Sequence, residues 1–182
     1  MKFFQTYSTA LILLVAGTIA GCSTSTTKSA DVSVSIRKSL DDAGFKEVKV
    51  SQDRDKGVVT LSGNADSEAN KLLAEKLAKS LAADQVVANE IAVLPRGVEA
   101  EAKAINKDVD AGIEKNFDAA LIANKMKDGV KFAVKNSVVT LSGEVNSQVL
   151  RADVERVATG VPYVKQVVNG LQVKNQKASS SN

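Results

Sequence analysis

Six residues, Val58-Val-Thr-Leu-Ser-Gly63, recur unchanged as Val138-Val-Thr-Leu-Ser-Gly143. From there the register holds without a gap. Ser67 falls on Ser147, Leu77 on Val157, Ala78 on Ala158 and Leu81 on Val161, and Asn89-Glu-Ile-Ala-Val93 falls on Asn169-Gly-Leu-Gln-Val173. Upstream the register slips by three, so that Val32, Ile36 and Leu40 correspond to Val109, Ile113 and Phe117. Such a repeat makes the chain two copies of one folding unit, and whatever architecture one copy adopts the other must share. The first unit is assigned to residues 30–95 and the second to 101–175, with 96–100 as linker after Leu94-Pro95.

Each copy can be parsed from its patterning. Val32, Ile36, Leu40 and Ala43 lie at helical spacing, and Gly44 is placed to end the helix. Val48 and Val50 alternate with Lys49 and Ser51 as a half-exposed strand does, Gln52–Gly57 is rich in turn formers, and Val58–Leu61 is a β-branched run. Asp53 and Asp55 fall in that turn and lack a calcium-loop pattern. Asp66 or Ser67 offers an N-cap to a helix with Ala74, Leu77, Ala78 and Leu81 on its core face and Lys71, Glu75, Lys76 and Lys79 opposite. Val86–Val93 closes the unit as a strand.

In the second copy Ile105, Val109, Ile113, Phe117 and Leu121 recur every four residues and lengthen the first helix, although Gly112 counts against an unbroken one. Val130, Phe132 and Val134 make its first strand. Val149, Leu150, Val154 and Val157 line its later helix, which Gly160 and Pro162 stop. The predicted class is α+β: two tandem αββαβ modules, each a three-stranded mixed sheet with two helices on one face. The strand–helix–strand crossover makes two of the strands parallel.

Composition narrows the chemistry. The chain has 182 residues, no histidine, one cysteine and no tryptophan, and a formal net charge of +3. The commonest general base and metal ligand is therefore missing, no disulfide framework exists, and no catalytic constellation, metal site or cofactor is expected. A concentrated basic face with interleaved aromatics is also lacking, so nucleic acid is not an expected partner.

The first residues read as an address. Lys2 precedes an apolar run from Ala10 to Ala20, too short to span a bilayer core of about 20 residues, so 1–21 reads as a signal peptide. Ile19-Ala20-Gly21-Cys22 resembles the bacterial lipobox, with cleavage between Gly21 and Cys22. That resemblance implies that Cys22 is acylated and anchors the mature protein to a membrane, and that Ser23 directs it to the outer membrane, facing the periplasm. Polar residues 22–29 serve as a flexible tether, and 176–182 read as a disordered tail.

Gly-Val-Val-Thr-Leu-Ser-Gly on a strand, then a helix, then Val164-x-x-Val-Val-Asn169-Gly-Leu-x-Val173, resembles the BON domain. That family is named for bacterial osmotically inducible and nodulation proteins. The resemblance covers roughly residues 30–175 and implies the same αββαβ fold. Two such modules behind a lipobox look like the dual-BON outer-membrane lipoproteins. This implies a non-enzymatic envelope role in outer-membrane integrity or stress tolerance, with phospholipid contact on the second module's first helix and the loop beside it.

Charge supports the same region. Residues 30–95 carry nine basic against eleven acidic side chains, and residues 100–175 carry eleven against nine. Lys115, Lys125, Lys127, Lys131 and Lys135 gather near the long helix and the following hairpin, with Phe117, Leu121, Ile122 and Met126 as candidate apolar surface. The phospholipid set is thus Lys115, Phe117, Leu121, Lys125, Lys127 and Lys131. The alternative is a solvated helix face over an ordinary core stripe, diluted by Asp110, Glu114, Asp118 and Asp128. Gly63, Gly143, Asn89 and Asn169 read as structural: glycines closing a strand with positive φ or close to a helix, and asparagines holding bends. A second functional class is a protein-interaction or chaperone-like module with envelope protein partners, using the sheet face that two helices leave open.

Overall fold

A computed structural model describes residues 28–174. The leader, the Gly21–Cys22 junction, most of the tether and the C-terminal tail lie outside the described residues. The first module runs α1 (Ser33–Asp42), β1 (Val48–Asp53), β2 (Val58–Ala65), α2 (Glu68–Leu81), β3 (Val86–Asn89) and β4 (Ala92–Val93). The second runs α3 (Glu99–Ala123), β5 (Val130–Lys135), β6 (Val138–Val145), α4 (Gln148–Thr159), β7 (Gln166–Asn169) and β8 (Gln172–Val173). In each, the first strand pairs antiparallel with the central one, and the segments after the second helix pair parallel to it.

The α+β class and the tandem architecture follow the sequence pattern. The closing strand, predicted continuous over 86–93, is broken at residues 90–91, so each sheet has four strand segments. The cause lies across the ladder at Gly63, whose φ of +102° bends β2 between the Leu61↔Asn89 and Asn64↔Ala92 pairs. Gly143, at φ +108°, does the same to β6. These glycines therefore lie inside the central strands and do not close them. What crowds them is backbone on the antiparallel side, and not a helix: a Cβ on Gly63 would sit 2.1 Å from the Glu47 carbonyl oxygen, and one on Gly143 2.2 Å from that of Gly129.

Local chemistry sets the element ends. Ser67 and Ser147 are the N-caps of α2 and α4, their hydroxyls accepting from the amides of Asn70 and Leu150. After α1, Gly44 takes φ +88° while the Phe45 amide donates back to Leu40 at 2.8 Å. Strand β1 reaches Asp53, two residues into the predicted loop. The Asp53 carboxylate then accepts from the amides of Asp55 and Lys56, as a turn requires. Helix α3 begins at Glu99 and passes through Gly112 unbroken, so the connector is residues 94–98 and not 96–100. Nothing lies within 4 Å of a Cβ placed on Gly112. Gly112→Ala is accordingly expected to raise stability by about 0.5–1 kcal/mol in denaturant unfolding.

The modules have separate aliphatic cores. Ile36, Leu40, Val48, Val59, Leu61, Ala74 and Ala78 centre the first, and Ile113, Phe117, Leu121, Val139, Leu141, Val154 and Ala158 the second. Some predicted core positions are exposed instead. Ile105 precedes the part of α3 that covers the sheet, Leu81 closes the last turn of α2, and Val149 opens the first turn of α4. Lys71, predicted to be solvated, is buried, because α2 turns that flank toward the second module. Burial pulls its ammonium below the ordinary lysine range, against the opposing influence of Glu68 and Glu75.

The face of each sheet turned away from its helices is open only in part. Val58 and Ala88 of the first module pack on Val138 and Val168 of the second, which are the corresponding residues of the repeat. Like positions therefore meet like, and the apolar strip of each open face is covered by its duplicate.

Candidate functional site

Helix α3 carries most of the predicted phospholipid set, and the fold separates its members. Phe117 and Leu121 are fully buried, on the stripe that α3 lays against β5 and β6, and Phe117 meets Phe132 edge-on with ring centroids 4.8 Å apart. Neither reaches the surface, which corrects their assignment as lipid contacts. Lys127 is held in an ion pair by Asp118. Lys131 is exposed but alternates with Val130 and Phe132, so it projects from the face of the sheet opposite α3. Lys135, at the far end of that strand, pairs with Glu90 of the first module at 3.2 Å.

Lys115 and Ile122 remain exposed on α3, and the exposed Lys125 follows just past its C-cap, its amide donating to the Ile122 carbonyl at 3.0 Å. Ile122 is 59% exposed and shares a shallow groove with Lys115, Ala119 and the edge of Phe132, rimmed by Glu114 and Asp118. Neither Lys115 nor Lys125 has a carboxylate within ion-pair distance among the described residues. From its spacing Phe132 is only a strand residue. Its place at the groove depends on β5 being an edge strand, which its own spacing does not reveal.

Lys125 has a feature that Gly44 brings into focus. Both residues follow the C-cap of their module's first helix, and both adopt positive φ, +88° at Gly44 and +56° at Lys125. A left-handed conformation costs a residue with a side chain about 1 kcal/mol relative to glycine. The negative end of α3 offsets part of that cost for a cation. A basic side chain is thus presented at a position that the duplicated copy fills with glycine.

Asn89 and Asn169 fix each module's final turn. In both, the side-chain oxygen accepts from the amide two residues on, at 3.4 Å from Ile91 and 3.2 Å from Leu171. The amide nitrogen reaches back to the second helix, donating to the Lys71 carbonyl and the Glu75 carboxylate in one copy and to the Arg151 carbonyl and the Glu155 carboxylate in the other. The bend was readable from the sequence, but the tie to a helix fourteen residues upstream was not. At Glu75, burial works to raise the carboxyl's pKa, but the hydrogen bonds from Lys79 and Asn89 outweigh it and hold the group below the usual glutamate range.

No helix among the described residues is long and apolar enough to cross a membrane.

The chain is similar to several known proteins. A curated relative, osmotically-inducible protein Y of Escherichia coli (strain K12), is 32% identical over 137 residues, covering 74% of this chain and 67% of that protein. Two solved structures of CdsD, a structural protein of the type III secretion system of Chlamydia trachomatis, align at 13% and 12% identity with TM-scores of 0.32 and 0.35. They cover 75% and 76% of this chain, which in turn spans 61% and 90% of theirs. The family model of the BON domain matches twice, at residues 28–95 and 109–175, leaving only the connector and the first turns of α3 between the two matches. The two modules are BON domains, and the chain belongs to the BON domain family.

Proposed function

We propose that the chain is a non-enzymatic envelope lipoprotein, anchored through Cys22 in the outer membrane and facing the periplasm, that supports membrane integrity under stress. In this reading its second module touches anionic phospholipid with the outer surface of α3. Kinship with an osmotically inducible protein supports the stress-related part. The observation that carries the lipid part is Ile122, a large apolar side chain left in solvent between Lys115 and a conformationally costly Lys125. Basic residues beside an exposed aliphatic side chain suit a surface where headgroup charge overlies hydrocarbon. An interaction role for the open sheet faces is the weaker reading, because their apolar strip is spent between the modules.

Flotation of the chain from residue 23 onward, which lacks the acylated cysteine, tests the lipid reading against neutral and anionic vesicles. Recovery should be confined to the anionic ones. Each lysine near such a surface contributes about 1 kcal/mol, so reversing both Lys115 and Lys125 to Glu should lower binding on the order of tenfold or more. Equal recovery on both vesicle types, or indifference to the double reversal, would refute it.

A further inference from the structure

Strand β3 is an edge strand of the first sheet, yet its outer side is occupied by one side chain of the other module. The Gln166 amide nitrogen donates to the Val87 carbonyl at 2.7 Å, and its oxygen accepts from the Asn89 amide at 3.0 Å. In a parallel ladder, one residue bonds in this way to the two neighbours of the residue it faces. Gln166 therefore reproduces, with its side chain, the bridge a parallel strand would make opposite Ala88. Val86 stands at the corresponding place in the first module and has no amide to return the contact, so the device works in one direction only.

The rest of the interface combines a short apolar strip with polar contacts. It includes the four apolar residues already described, an Asn136 amide on the Glu90 carbonyl at 2.8 Å, an approach of α3 to β4, and two ion pairs with exposed lysines, Lys135–Glu90 and Lys165–Glu68. Surface pairs of this kind contribute little, and domains joined by small polar contacts move relative to each other by default. The two outward backbone groups of β3 are thus held by a single side chain that makes both bonds of a parallel bridge.

We infer that Gln166 is a releasable latch between the modules: its amide stands in for a missing strand on β3 and fixes the second module against the first. Withdrawing it frees the β3 edge and lets the modules separate without unfolding either. This inference is independent of any lipid contact.

Amide hydrogen exchange on the full chain, followed residue by residue by NMR, tests it. In Gln166→Val, which installs the residue of the duplicate, the Asn89 amide should exchange at least on the order of tenfold faster. Val59 and Leu61, in the middle of the same sheet, should keep their protection. Gln166→Glu adds a readout that a merely space-filling residue would not give. Ionised, its carboxylate has no proton for the Val87 carbonyl and meets that oxygen acceptor to acceptor, which pushes the side chain off β3 and weakens its hold on the Asn89 amide as well; protonated, it can donate to Val87 and accept from Asn89 together. Protection at Asn89 should therefore be low at neutral pH and return as the medium falls below about pH 4. Glu68, Lys71, Glu75 and Lys79 of α2 and Lys165 line the same recess, and Glu90 follows β3. The wild-type chain at each pH supplies the baseline for their titration. Unchanged exchange at Asn89 in Gln166→Val, equal acceleration at Val59 and Leu61, or no acid recovery in Gln166→Glu would each overturn the latch.

Discussion

Alanine at Gly63 is expected to cost the first module more than about 3 kcal/mol, and alanine at Gly143 should do the same to the second. Two effects act together at each site. The backbone holds φ +102° or +108°, which side chains rarely adopt, and the new methyl would lie 2.1 or 2.2 Å from a carbonyl oxygen. That oxygen belongs to main chain next to the paired β1 or β5, and a flexible side-chain tip could move aside where it cannot. Denaturant unfolding of each variant measures the loss. A change below about 1 kcal/mol at either position would show that the bend can be made without glycine. The contrast with Gly112→Ala is informative, since that glycine lies in open space at a helical φ and its replacement should stabilise.

The second large effect separates packing from surface chemistry on one helix. Phe117→Ala should lose about 3–5 kcal/mol, because it empties the centre of the second core and removes the edge-on partner of Phe132. Ile122→Asp, five residues on, should cost no more than about 1 kcal/mol, since that side chain is already mostly in water and the loss comes chiefly from an anion at the negative end of α3. In flotation the order reverses: Ile122→Asp should abolish vesicle binding, whereas folded Phe117→Ala should retain it under conditions where the module is intact. If Ile122→Asp floats as well as the wild type, the outer face of α3 is not the membrane contact.

The parts of this fold legible in the sequence are those fixed by short-range periodicity and by duplication. Val32, Ile36 and Leu40, with their counterparts Val109, Ile113 and Phe117, gave the first helix of each module, and Ser67 and Ser147 gave the starts of the second. What escaped depends on which flank of an element faces a neighbour. Lys71 looks solvated on a helical wheel and is buried only because the second module lies against α2. Phe117 and Leu121 were open to two readings from composition, core or lipid surface, and only the packing of α3 on β5 and β6 decides for core. Lys131 and Lys115 are close in sequence terms, but strand alternation sends Lys131 to the opposite side of the sheet. Gly63 could be recognised as conformationally necessary, but its contact with Glu47 and the resulting break in the third strand come from a three-strand register that no single segment encodes.

The meeting of Val58 and Ala88 with Val138 and Val168 has a consequence for assembly. A surface that recognises its own copy would, on separate chains, pair only as far as their abundance allowed. Carrying both copies on one polypeptide, joined through residues 94–98, makes the encounter unimolecular, at an effective concentration in the millimolar range typical of short connections. The pairing of the two BON domains is thereby independent of expression level and dilution.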